Sequence, residues 1–137
     1  MTIDACTSTA AGAFRAATLV AAALFTLFAA VQYNDPDPVV WIAIYGLAAI
    51  ASAAAGLRPR SSWLVPAIVG VVAALWSASL STRILGAPMD IEQVFGTTRM
   101  INTAVEETRE ALGLLLVAAW MGVLTWRGLR QGRKTRG

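Results

Sequence analysis

Residues 38–57 read PVVWIAIYGLAAIASAAAGL, an apolar stretch without a single charged side chain. A helix of about 20 residues is long enough to cross the hydrocarbon core of a bilayer. Three further apolar stretches flank this one, and a basic tail over residues 127–137 follows the last of them. We therefore predict four membrane spans, at approximately residues 14–31, 38–57, 63–82 and 107–126.

The composition supports a membrane protein over a soluble domain. Of 137 residues, 57% are hydrophobic and only 14% are charged, whereas about 25% of the residues in an average soluble domain are charged. The apolar runs are continuous and rich in alanine and leucine, which favours helices over the alternating strands of a membrane barrel. We predict an all-α polytopic membrane protein, with residues 1–137 forming one domain and its four transmembrane helices packed in a compact bundle.

The charged residues are divided unequally between the two sides of the predicted bundle. Eight of the eleven positive residues fall on one side, namely Arg15, Arg58, Arg60, Arg127, Arg130, Arg133, Lys134 and Arg136. The other side has three positive residues and seven acids, namely Arg83, Arg99, Arg109, Asp35, Asp37, Asp90, Glu92, Glu106, Glu107 and Glu110. With Asp4 on the first side, the balances are 8 − 1 = +7 and 3 − 7 = −4. Since positive residues stay cytoplasmic, we expect both termini in the cytoplasm and a multi-pass protein of the plasma (inner) membrane.

The basic tail favours lipid over nucleic acid as its partner. It follows a span directly and has no interleaved aromatic residues or nucleic-acid-binding motif. Attraction to anionic headgroups explains it more simply. The expected partners are therefore the lipid bilayer and, as a candidate, another membrane protein, with no nucleic acid.

Two residue counts exclude several kinds of chemistry. The sequence has no histidine, and Cys6 is its one cysteine. Histidine-ligated zinc, a Ser-His-Asp triad and a Cys-His nucleophilic pair within this chain are thereby excluded. No catalytic residue is identified, and the sequence leaves open whether the chain is an enzyme.

Polar residues occur next to the spans in two short segments. The first, QYNDPDP at residues 32–38, separates the first two spans, and Asp37 and Pro38 suit the N-cap and the first position of a helix. The second places Glu106, Glu107 and Glu110 at the start of the fourth span, with Glu110 about one turn inside the membrane boundary. A carboxyl group at that depth is protonated, paired, or holding a cation.

Three other side chains lie in or next to these segments. Trp41 and Tyr45, four residues apart, share a helix face, and we interpret them as an aromatic anchor at the headgroups in preference to a ligand contact. Arg109 is adjacent to Glu110 on the helix and so cannot face it. We expect Arg109 to reach Asp35 or Asp37 instead, which would bring the two segments together.

Both segments resemble those of a known family. The pattern is Gln32-x-Asn34-Asp35-Pro36-Asp37-x3-Trp41-x3-Tyr45, followed by Glu106-Glu107-x-Arg109-Glu110-x2-Gly113-Leu114 and by Ala119-Trp120. This pattern resembles the transmembrane protein 220 family. The resemblance implies a small helical membrane protein with several spans, and it implies no catalytic role for any of these residues.

Two classes of function remain open. The leading hypothesis is an outward-facing polar site that binds a lipid headgroup or a divalent cation (Ca, Mg or Mn), because hard cations prefer oxygen ligands. Its candidate metal ligands are Asp35, Asp37, Glu106, Glu107 and Glu110, and its other polar-site residues are Gln32, Asn34, Arg109, Trp41 and Tyr45. The alternative is a non-enzymatic membrane subunit or assembly factor in which the same groups form a structural ion-pair network. A transporter ranks third, since the middles of the spans carry few polar groups.

Small residues line the second and fourth spans. Small side chains let membrane helices approach closely, and we interpret them as packing within the bundle in preference to dimerisation. The residues concerned are Gly46, Ala49, Ser52, Ala53, Gly56, Gly113 and Gly122.

Overall fold

Four long helices make up the described part of the computed structural model, which covers residues 3–58, 61–84 and 103–134. They are α1 (Ile3–Val31), α2 (Pro38–Leu57), α3 (Leu64–Ile84) and α4 (Thr103–Lys134), with a short 3-10 helix at Gln32–Asn34. No strand occurs within the described ranges, so the all-α prediction is confirmed. Residues 85–102, between the third and fourth of these helices, and residues 135–137, at the end of the basic tail, lie outside them.

All four helices are long and apolar enough to cross a membrane. The qualifying segments are Thr9–Asn34, Pro38–Leu57, Leu64–Ile84 and Val105–Arg133. Large apolar side chains cover the outside of the bundle, among them Val20, Ile50 and Leu75, which are 59%, 66% and 69% exposed. Exposed apolar surface of this extent requires an apolar solvent. The protein is therefore a multi-pass membrane protein whose helices contact the lipid bilayer.

The turn between α1 and α2 is held by local hydrogen bonds. The Asp35 amide donates to the Gln32 carbonyl at 3.0 Å, and the Asp37 amide donates to Oδ1 of Asp35 at 3.0 Å. Pro38 then opens α2 with Asp37 at its N-cap position, although the Asp37 side chain makes no capping hydrogen bond. The position of Asp37 was predicted correctly, but the carboxylate that orders the turn is that of Asp35.

The bundle consists of two antiparallel hairpins, α1 with α2 and α3 with α4, joined mainly through α2. In the first hairpin, the end of α2 lies beside the middle of α1, because Gly56 faces Thr18. In the second hairpin, Gly70 faces Met121 and Gly128 faces the backbone of Trp63. We call the end that carries residues 32–38 and 105–110 the acid-rich end, and the opposite end the basic end.

Two of the glycines that the sequence analysis assigned to packing, Gly56 and Gly113, lie at close approaches between helices. A Cβ at Gly56 would lie 2.5 Å from Oγ1 of Thr18 and 3.2 Å from Cδ2 of Leu19, and a Cβ at Gly113 would collide with the Tyr45 hydroxyl. Nothing lies within 4 Å of a Cβ added at Gly46 or Gly122. Packing within the bundle thus accounts for Gly56 and Gly113, whereas Gly46 and Gly122 face open space.

Polar side chains inside the bundle form hydrogen bonds with a neighbouring helix or with the backbone of their own helix. The Trp120 indole donates to Oγ of Ser52 at 2.9 Å, and the Ser52 hydroxyl donates to the Ala48 carbonyl at 2.7 Å. Every buried side-chain nitrogen and oxygen of the described residues has a hydrogen-bond partner. This matters because an unpaired polar group away from water costs several kcal/mol.

We predict that Gly56→Ala destabilises the protein, although alanine is the better helix former. The added methyl group would press on Thr18, which is fully buried, and overpacking of this kind costs about 1–3 kcal/mol. The matched control is Gly46→Ala on the same helix, where the space is open and alanine gains up to about 1 kcal/mol. Thermal unfolding of both variants in one detergent checks this, and equal melting temperatures would contradict the close approach of α1 and α2.

Candidate functional site

The two polar segments of the sequence meet in one cavity at the acid-rich end. The cavity has a volume of about 230 Å³. Side chains from three parts of the fold line it, namely Gln32, Asp35, Trp41, Tyr45, Glu106, Arg109 and Glu110. The structure thus brings together seven of the ten residues named as candidates.

Helix geometry accounts for this convergence. The turn after α1 contributes Gln32 and Asp35, and the first two turns of α4 contribute Glu106, Arg109 and Glu110. Residues at positions i, i+3 and i+4 lie on one helix face, so all three α4 side chains point the same way. Arg109 was expected to reach Asp35 or Asp37, and it lines the same cavity as Asp35.

The inner wall of the cavity is aromatic. The Trp41 ring stacks on Tyr45 with centroids 6.2 Å apart and on Trp76 with centroids 4.8 Å apart. Phe28 packs its edge against Tyr45 at 5.7 Å. Trp41 and Tyr45 are only 4% and 5% exposed, so the interpretation of these two residues as a headgroup-level anchor facing lipid was wrong.

Tyr45 also connects α2 to α4. Its hydroxyl lies against Gly113, one turn after Glu110, at a point where no β-carbon would fit. Nearby, the buried Ser77 hydroxyl on α3 donates to the Ala111 carbonyl at 2.8 Å. The helix segment that carries Glu110 is therefore held from two sides.

Three of the named candidates do not line the cavity. Asn34 and Asp37 are exposed on the α1–α2 turn. Glu107 lies on another face of α4, where its Oε1 is 3.8 Å from Nη1 of Arg83 on α3. The sequence analysis placed Arg83 on this side of the bundle but missed it as the partner of Glu107, although its place in the last turn of the third span could have suggested a partner on the fourth.

The predicted divalent-cation site has no support in the structure. Within residues 3–58, 61–84 and 103–134, no three acidic or cysteine side chains are grouped so that they could hold a metal ion. Glu107 faces Arg83, and Asp37 is exposed on the turn. The other three, Asp35, Glu106 and Glu110, line the cavity without forming such a group. The set of Asp35, Asp37, Glu106, Glu107 and Glu110 is therefore divided between the cavity and the surface.

Residues 24–126 match the model of the family described as Transmembrane family 220, helix. The chain belongs to this family. The matched region includes both polar segments, the whole of the second and third spans and parts of the first and fourth. The family resemblance noted in the sequence is therefore confirmed. No solved structure matches the chain. Membership of transmembrane family 220 agrees with a multi-pass membrane protein and assigns no activity to the cavity.

We predict that Ser77→Ala loosens the contact between α3 and α4 beneath the cavity. The variant loses the hydrogen bond to Ala111, and interhelical hydrogen bonds of this kind in membranes contribute about 0.6 kcal/mol on average and up to about 1.7 kcal/mol. Ser79→Ala is the matched control, because the exposed Ser79 hydroxyl bonds only to Trp76 within its own helix. Thermal unfolding should show a lower melting temperature for Ser77→Ala alone, and an equal effect of both changes would contradict this role.

Proposed function

We propose that the cavity at the acid-rich end binds the primary ammonium group of a lipid headgroup. The observation that carries this proposal is the excess of carboxyl groups over cationic groups in one cavity next to the bilayer. Three carboxyl residues, Asp35, Glu106 and Glu110, line it with one guanidinium, that of Arg109. If all four groups are ionised, the lining carries 1 − 3 = −2.

A bound cation would relieve this imbalance. Glu106 and Glu110 lie four residues apart on one face of α4, a spacing at which like charges repel. Carboxylates close to a membrane are costly unless they are protonated or paired with a cation. A ligand ammonium would pair with these carboxylates. Its N–H donors suit the carboxylate oxygens and the side-chain amide oxygen of Gln32.

The aromatic wall favours a primary over a quaternary ammonium. Sites for quaternary ammonium groups present open aromatic faces to the cation. Here the Trp41 ring already stacks on both Tyr45 and Trp76, and little of either Trp41 or Tyr45 is exposed. Hydrogen-bonding carboxylates are therefore the main recognition groups, and only an ammonium with N–H donors uses them fully.

The size and position of the cavity suit a headgroup. A volume of about 230 Å³ is below the about 300–1,000 Å³ that is usual for drug-sized ligands. We also propose that the acid-rich end faces outward across the plasma (inner) membrane, with both termini in the cytoplasm. The excess of arginine and lysine at the basic end supports this orientation.

The second candidate function is a membrane subunit or assembly factor in which these polar groups are structural. The Arg83–Glu107 ion pair favours it, because this pair links α3 to α4 at the same end of the bundle. Its contribution is small, since Arg83 is 69% exposed and exposed ion pairs contribute about 0–1 kcal/mol. The two candidates make different predictions for Glu110.

We predict that the purified protein binds phosphatidylethanolamine more tightly than phosphatidylcholine with the same acyl chains. Glu110→Gln and Asp35→Asn should each weaken phosphatidylethanolamine binding about tenfold or more, because a charge-assisted hydrogen bond contributes about 1.5–3 kcal/mol. Titration of each lipid, followed by native mass spectrometry of the detergent-solubilised protein, measures both affinities.

Asp37→Asn is the control, since Asp37 lies outside the cavity and should leave binding unchanged. Equal affinity for the two lipids, or unchanged binding by Glu110→Gln, would refute the headgroup proposal. A Glu110→Gln protein that melts at a lower temperature and binds both lipids as before would support the structural role instead.

A further inference from the structure

A second cavity lies on the lipid-facing side of the α3–α4 hairpin. It is a groove of about 350 Å³ with an almost wholly apolar lining. Small residues from both helices form its floor, while larger side chains close it toward the basic end. The residues that matter here are Gly70, Ala74, Ala118, Gly122, Trp126 and Leu129.

The floor of the groove is empty of protein side chains at Gly122. A Cβ added there meets nothing within 4 Å, and Gly122 is exposed. Close packing between the two helices therefore does not explain the absence of a side chain at this position. In a bilayer, an open apolar groove on a helix surface is in contact with acyl chains.

Trp126, which lines the groove, holds an arginine side chain over its ring. The Arg130 guanidinium lies 3.8 Å from the centroid of the Trp126 ring. The preceding turn of α4 has a similar contact, in which the Arg127 guanidinium lies 3.5 Å from the centroid of the Phe14 ring on α1. Cation–π contacts restrict an arginine while leaving its N–H groups able to donate to phosphate.

The surroundings of Arg130 are strongly basic. The side chains described at this end include five arginines and no carboxylate, and the arginines are Arg15, Arg58, Arg127, Arg130 and Arg133. The sequence assigns eight positive residues and one acid, Asp4, to this end. This excess of positive charge makes the local field attract an anion.

We infer that the groove is a binding site for an anionic phospholipid, with one acyl chain along Gly70 and Gly122 and the headgroup phosphate at Arg130. The apolar groove and the cation belong to one continuous surface, because Trp126 lines the groove and also carries Arg130 above its ring. This combination matches a ligand that has an apolar chain and an anionic group at one end. The site is at the opposite end of the bundle from the carboxyl-lined cavity and is independent of it.

The test is a native mass spectrometry titration of the detergent-solubilised full chain with phosphatidylglycerol and, separately, with phosphatidylcholine of the same chain length. The protein should bind phosphatidylglycerol more tightly. Arg130→Gln should reduce this preference about fivefold, the factor expected for one arginine at a membrane surface. Arg58→Gln is the matched control, because Arg58 is exposed at the end of α2 and is not part of the groove, and it should keep the preference.

Gly122→Leu tests the acyl-chain part of the site, since a larger side chain would occupy the groove. It should lose both lipids, whereas Gly132→Leu, at another glycine with open space, should keep both. Arg130→Gln is on the surface and keeps the test decisive if Gly122→Leu fails to fold. Equal losses for Arg130→Gln and Arg58→Gln would overturn the inference in favour of general attraction to the basic end. Undiminished lipid binding by a folded Gly122→Leu would overturn the role of the groove.

Discussion

The contact between the Tyr45 hydroxyl and Gly113 fixes the relation of the two hairpins. Tyr45 lies on α2, which packs against α1, and Gly113 lies on α4, which packs against α3. The tyrosine ring is surrounded by Phe25, Phe28 and Trp41, so it has little room to turn away. Because interiors are densely packed, such a contact sets how far α2 stands from α4. That separation sets the opening between the α1–α2 turn and the first turns of α4, which is the carboxyl-lined cavity.

The two ends of the bundle provide opposite chemistry within one small membrane protein. At the acid-rich end, residues of both polar segments line a cavity with an aromatic wall. At the basic end, two arginines lie over aromatic rings, and one of these rings, that of Trp126, lines an apolar groove. Aromatic residues support both arrangements, as rigid walls in the first and as cation–π partners in the second. Both proposed ligands are lipids, which fits a protein whose outer surface is already covered by acyl chains.

The sequence predicted the helices better than their rotation. The second span was predicted over residues 38–57, and α2 has these limits, because proline and the end of the apolar run mark them. Asp35 and Glu110 were expected at the same end of the bundle, because a tight turn and an antiparallel span bring them there, and both line one cavity. The sequence did not predict that Glu107 would pair with Arg83 or that Trp41 would be buried. The spans are apolar on nearly every face, so no amphipathic pattern shows which side is buried. The rotation that turns Glu107 toward Arg83 and buries Trp41 against Trp76 arises from packing between helices.

A double-mutant cycle on Tyr45 and Gly113 tests the central contact most directly. The free energy of unfolding would be measured for Tyr45→Phe, Gly113→Ala and the double variant in one detergent. Gly113→Ala alone should be destabilising, by about 1–3 kcal/mol for an overpacked site. Removing the tyrosine oxygen should relieve the collision, so the double variant should recover most of that loss, with a coupling well above the about 0.3–0.5 kcal/mol within which independent sites add. Additive effects of the two changes would contradict the contact. They would also contradict the claim that this contact sets the opening of the cavity.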